Sequence, residues 1–65
     1  MKHRKLIRHL RQHGCRVARE GGGHTIWINP ANGRVQPVPR YTEISYRLAV
    51  GICRKLEISA PAGER

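Results

Sequence analysis

Three glycines run directly into a histidine at Gly21-Gly22-Gly23-His24, and that histidine opens the segment His24-Thr25-Ile26-Trp27-Ile28. Imidazole titrates nearer neutrality than any other side chain, so one histidine can take up a proton and later return it. RNA carries its own nucleophile, the ribose 2′-hydroxyl. Cleaving it requires removing that proton, steadying the phosphate and helping the leaving oxygen. One imidazole with cationic neighbours does this without a metal. A strand histidine bonded to backbone is the structural alternative, and the local spacing leaves both roles open. The glycine triplet would let a phosphate approach the backbone and would offer it N–H groups, or would simply make a permissive turn. It is not a P-loop, because no Gly-Lys-Ser/Thr follows it.

The charge pattern narrows the partner. Thirteen Lys and Arg against four Asp and Glu leave 65 residues with a formal charge of +9. Such a chain is drawn to nucleic-acid phosphates or to an acidic protein, with strong salt dependence. Arg4, Lys5, Arg8 and Arg11 take one side of a helical pattern, and no acid precedes Glu20. Interspersed glutamates normally balance a solvated face, so this one favours RNA phosphates. The phosphate contacts expected are Lys5, Arg8 and Arg19 with Gly22 and Gly23, followed by Arg4 and Arg40. His9 and His13 have a metal-compatible spacing but lack a Cys-x-x-Cys or carboxylate partner. They read as solvated, and neither metal nor cofactor is expected. Cys15 and Cys53 are too few for a disulfide scaffold and read as reduced, packed thiols. No apolar stretch is long enough to span or anchor in a bilayer, and the basic N-terminus lacks a signal-peptide run. A cytoplasmic protein without membrane contact is expected.

These residues need a scaffold, and the length allows one small domain. Residues 2–13 read as an amphipathic helix with Leu6, Ile7 and Leu10 on its apolar side, ended by Gly14. Alternation over 15–19 predicts a half-exposed strand, and residues 20–23 a turn. Residues 24–29 are the clearest strand. Pro30-Ala31-Asn32-Gly33 is a hairpin turn with Asn-Gly as its favoured central pair. Residues 34–38 return as a strand that Pro37 and Pro39 confine to an edge. After a connector, Ser45 or Thr42 caps a helix over roughly 46–57, with Leu48, Ala49, Ile52, Cys53 and Leu56 as its stripe. Residues 59–65 read as a frayed polar tail. The class is α+β, in the order α-β-β-β-α, with two helices on one face of a three-stranded antiparallel sheet. Alternation alone does not say whether Trp27 faces the helices or offers an open platform for a base; Tyr41 and Tyr46 are equally ambiguous.

A family resemblance adds to this reading. A short basic helix ends in His13-Gly14, followed by Arg19-Glu20-Gly21-Gly22-Gly23-His24-Thr25-Ile26-Trp27, Asn29-Pro30 and Asn32-Gly33. Val38-Pro39-Arg40 then precedes Glu43-Ile44-Ser45 and an Ile/Leu-rich helix. Over about residues 2–58, nearly a whole domain, the pattern resembles the HicA toxins of bacterial type II toxin–antitoxin systems. The resemblance implies a fold like that of double-stranded-RNA-binding domains and a small ribonuclease that cuts mRNA, with the catalytic strand histidine falling on His24. It also implies a HicB-like antitoxin that covers the active site, so that a free monomer becomes part of a hetero-oligomer. This chain departs from the pattern at Tyr41, where many members carry His, and at Arg54-Lys55-Leu56-Glu57, where Gln-Ala-Gly is common. The second departure bears on helix termination.

Overall fold

Helix α1 (His3–Gln12) leads into strands β1 (Arg16–Glu20), β2 (His24–Asn29) and β3 (Arg34–Pro39), and helix α2 (Tyr46–Lys55) closes the domain. The computed structural model describes residues 1–62. The sheet order is β1-β2-β3, antiparallel throughout, with β2 in the centre and β3 at an edge as its prolines require. Leu6 and Leu10 of α1 meet Ala49, Ile52 and Cys53 of α2 over Trp27 and Val38, so both helices cover one face. This is the expected α-β-β-β-α architecture.

Trp27 belongs to that core. It is only 2% exposed, and Thr25 and Asn29 are buried on the same side of β2, while Ile26 and Ile28 are half-buried on the other. With no Phe in the chain, the indole is the largest apolar body available, and burying it removes the most surface from water. The Arg11 guanidinium lies 5.3 Å from its ring centroid, drawing one member of the basic helix face over the core. Asn29 is tolerated inside because both ends of its amide are used: Nδ2 donates to the Leu56 carbonyl (2.9 Å) and Oδ1 accepts from the Ala31 N–H (3.0 Å).

The helix ends follow local chemistry. After α1, Gly14 takes φ +85°, its N–H reaches the Arg11 carbonyl and the Cys15 N–H reaches that of Leu10, so Cys15 is turned into the core. Ser45 caps α2 through its side chain, which accepts from the Leu48 N–H (3.2 Å). At the far end Glu57 occupies the left-handed region at φ +60°. Its carboxylate meets Arg34 (3.1 Å) and Asn32 (3.3 Å), ties that offset an unfavourable backbone. Between β2 and β3 the turn has four residues, and only Gly33 has positive φ. Asn32 is therefore not half of a two-residue turn; its side chain instead accepts from the Arg34 N–H (2.8 Å).

Two segments are more ordered than their sequence implies. The connector pairs with the N-terminus: the Met1 amine donates to the Ile44 carbonyl (2.6 Å) and the His3 N–H to that of Thr42 (2.9 Å). Residues 59–62 are docked rather than frayed, since the Ser59 carbonyl meets His9 Nε2 (2.7 Å) and the Pro61 carbonyl accepts from the Tyr46 hydroxyl (2.8 Å). The rest of the predicted tail, residues 63–65, lies outside the described residues.

Both cysteines are free and buried. Burial pushes the Cys53 thiol up to about 11, with the neighbouring Cys15 adding to it, and burial raises Cys15 as well. A raised thiol favours folding below the unfolded value, and this contribution fades as pH climbs from 9.0 towards 11. At pH 8 the folded protein should resist an aromatic disulfide reagent that titrates both thiols in denaturant. Immediate labelling of the native protein would contradict this packing.

Candidate functional site

His24 is the first residue of β2 and is exposed to solvent. Among the described residues no side chain hydrogen-bonds its ring. Its backbone, in contrast, is held: the His24 carbonyl accepts from the Gly21 N–H (2.8 Å) and from Arg40 Nη1 (3.3 Å). A fixed main chain under a free imidazole suits proton transfer better than structural bonding.

Strand pairing decides what surrounds it. His24 pairs with Pro39, Ile26 with Pro37 and Arg19, and Ile28 with Val35 and Arg16. Cross-strand partners share a face, so Arg19 stands two residues along β2 from His24 on the sheet's open side. A register shift between Val17 and Arg19 sets this alignment.

His24 also lines an open groove of about 620 Å³. Pro37 and Pro39 of β3 form one wall, Leu48 and Ile52 of α2 the other, and Arg47 and Lys55 contribute cations. Arg47, Gly51 and Lys55 are spaced four apart, on one stripe of α2. Beyond the local backbone of α2 nothing lies within 4 Å of where a Cβ at Gly51 would stand, which leaves room between the two cations. An apolar floor with cations at its border accepts a flat base and its phosphates together. Reading α2 only for its apolar stripe misses Arg47 and Lys55; the four-residue spacing of Arg-Gly-Lys was the available signal.

The other expected contacts divide. Gly22 and Gly23 adjoin His24 in the turn. Arg4 lines a smaller pocket with Arg40 and Tyr41, and Tyr41 borders the His24 groove too, which makes the two hollows neighbours. Lys5 and Arg8 line a separate pocket with His9 and Pro61 that shares no residue with the His24 groove. Arg40 turns its guanidinium onto the glycine turn: Nη1 donates to Glu20 Oε1 (3.0 Å) and Thr25 Oγ1 (3.2 Å), and Nη2 to the carbonyls of Gly21 (2.8 Å) and Gly22. The rings of His9 and His13 lie 4.3 Å apart, tilted by 44°, and no group of three potential metal ligands occurs among the described residues. No helix among those residues is long and apolar enough to cross a membrane.

No curated protein and no solved structure matches the chain. The family model described as the HicA toxin of bacterial toxin–antitoxin systems matches residues 3–58, from the first residue of α1 to just past α2 and including the glycine turn, His24 and the groove. The chain therefore belongs to the HicA toxin family and is the toxin member of such a pair.

Proposed function

We propose that this toxin is a metal-independent endoribonuclease that cleaves mRNA, with His24 as its catalytic residue. The observation that carries the reading is the exposed imidazole, unpartnered among the described residues, at the junction of a glycine turn and a groove bordered by Arg47 and Lys55. His24 removes the proton from a ribose 2′-hydroxyl. The 2′-oxygen attacks the adjacent phosphorus, the bond from phosphorus to the 5′-oxygen breaks, and the imidazolium gives its proton to that oxygen. The products are a 2′,3′-cyclic phosphate and a 5′-hydroxyl end. Arg19, Arg47 and Lys55 offset charge on the phosphate. Lys5, Arg8 and Arg4 extend the basic surface along the strand, a contribution that salt weakens.

The partner is an acidic, HicB-like antitoxin that covers the groove and forms a hetero-oligomer with an otherwise monomeric toxin in the cytoplasm. Purified protein incubated with RNA in excess EDTA should generate new ends carrying cyclic phosphate, and should leave DNA of the same sequence intact, because DNA lacks the nucleophile. Stable complexes without cleavage would identify a non-catalytic RNA-binding domain. Cleavage only on addition of a divalent ion would overturn the metal-free mechanism.

A further inference from the structure

Arg40 is expected from sequence to hold a phosphate, yet its hydrogen-bonding capacity is directed into the protein. Besides the bonds of its fork, its backbone N–H reaches the Gly23 carbonyl (3.4 Å). The carbonyls of Gly21, Gly22, Gly23 and His24 thus all converge on this one residue. Its charge is met by Glu20, whose Oε1 also accepts from the Thr25 hydroxyl (3.1 Å). Thr25 is 7% exposed, which anchors one corner of this triangle in the buried face of β2.

The direction of the carbonyls fixes that of the amides. No peptide bond here is cis, and across a trans peptide the carbonyl and the following N–H point in opposite directions. With the Gly21 and Gly22 carbonyls turned towards Arg40, the N–H groups of Gly22 and Gly23 point away from it. Neither donates a hydrogen bond among the described residues. Successive free N–H groups on one edge make an anion-binding concavity. The turn is also tight: a Cβ at Gly21 would stand 3.1 Å from the His24 carbonyl oxygen.

We infer that Arg40 is a positioning residue that, with Glu20 and Thr25, holds the glycine turn so that the Gly22 and Gly23 amides bind the phosphate beside His24. The inference rests on the ribonuclease reading of His24. The amides recognise the phosphate and Arg40 acts through them. Lysine keeps the charge but cannot reproduce a planar fork that reaches two carbonyls, a carboxylate and a hydroxyl.

The test compares Arg40→Lys and Glu20→Gln with the unaltered protein in single-turnover cleavage at saturating RNA. Binding is measured separately in a His24→Ala background over a range of salt. Arg40→Lys should slow cleavage by roughly 10- to 100-fold, the scale of a small misplacement of reacting groups. Its salt slope for binding should be unchanged, since no cationic side chain leaves a phosphate. Glu20→Gln should also slow cleavage, although it removes a negative charge near an anionic substrate. A direct phosphate contact requires the reverse. Freeing Arg40 by Glu20→Gln would then speed cleavage, and Arg40→Lys would retain most of the activity. Either result overturns the inference.

Should the unaltered protein cut no RNA, the ribonuclease reading fails and the clamp is judged without it. Titration with inorganic phosphate should then shift the Gly22 and Gly23 amide resonances of the unaltered protein and not those of Arg40→Lys. The Gly21 amide should also exchange faster in that variant. Unshifted resonances, or equal shifts in both proteins, would reject the clamp.

Discussion

Replacing His24 with alanine should abolish RNA cleavage while leaving the domain folded and able to bind. A general acid–base group contributes about 10²- to 10⁴-fold, and in the proposed mechanism one imidazole serves both proton transfers, so the full range is expected in single-turnover rate. The folded state loses little, because the ring is exposed and holds no partner among the described residues; substitutions at such positions usually change stability by about 0.5 kcal/mol or less. RNA affinity should stay close to that of the unaltered protein, since Arg19, Arg47 and Lys55 are untouched. Parallel measurement of melting temperature, affinity and cleavage rate checks all three. Undiminished cleavage by His24→Ala would remove His24 from the mechanism and turn attention to a different proton acceptor.

Trp27→Ala should have the largest effect on the fold. The indole is 2% exposed and packs with Leu6, Leu10 and Val38. Truncating such a residue costs about 3–5 kcal/mol, because lost transfer energy and the cavity add together. A domain of this size has a stability of the same order. The melting temperature should fall by roughly 12 °C or more, or the cooperative transition should vanish altogether. Trp27→Phe fills more of the space and should melt between the two. Cleavage should decline in parallel with the folded fraction, in contrast to His24→Ala, where activity goes and the fold remains. A Trp27→Ala protein melting within a few degrees of the unaltered one would show that the indole is not central to the core.

Trp27 also shows where local pattern stops being informative. Its segment alternates apolar residues on both sides, so either Ile26 with Ile28 or Trp27 with Thr25 and Asn29 could face the helices. The second arrangement forms because it buries the larger ring, and because Asn29 finds the Leu56 carbonyl at the end of α2. That carbonyl belongs to a residue 27 positions away, beyond the reach of any window-based reading. The caps lie at the other extreme. Gly14 after α1 and Ser45 before α2 act through atoms within a few residues of themselves. Gly14 was therefore legible at once, and the cap of α2 was narrowed to Thr42 or Ser45, of which Ser45 accepts from the Leu48 N–H.

The charged residues divide in the same way. Arg19 shares the open face of the sheet with His24, because β1 and β2 are consecutive and joined by a short turn, but it does not line the groove. Arg40 carries the same charge, but Glu20 faces it from across the fold and claims it for the turn. Net charge counts cations without saying which are already paired. Arg47 and Lys55 were hidden because the helix that carries them is needed for the core, and its apolar stripe dominates the pattern.

By itself the sequence determined the order of elements, the glycine that ends α1, the edge position of β3 and the strongly basic composition. All of these follow from propensities and periodicities that act over a few residues. Only the tertiary structure decided which face of β2 is buried, which cations border the groove with His24 and which one is engaged by the glycine turn. Those outcomes depend on side chains far apart in the chain competing for the same space and the same partners.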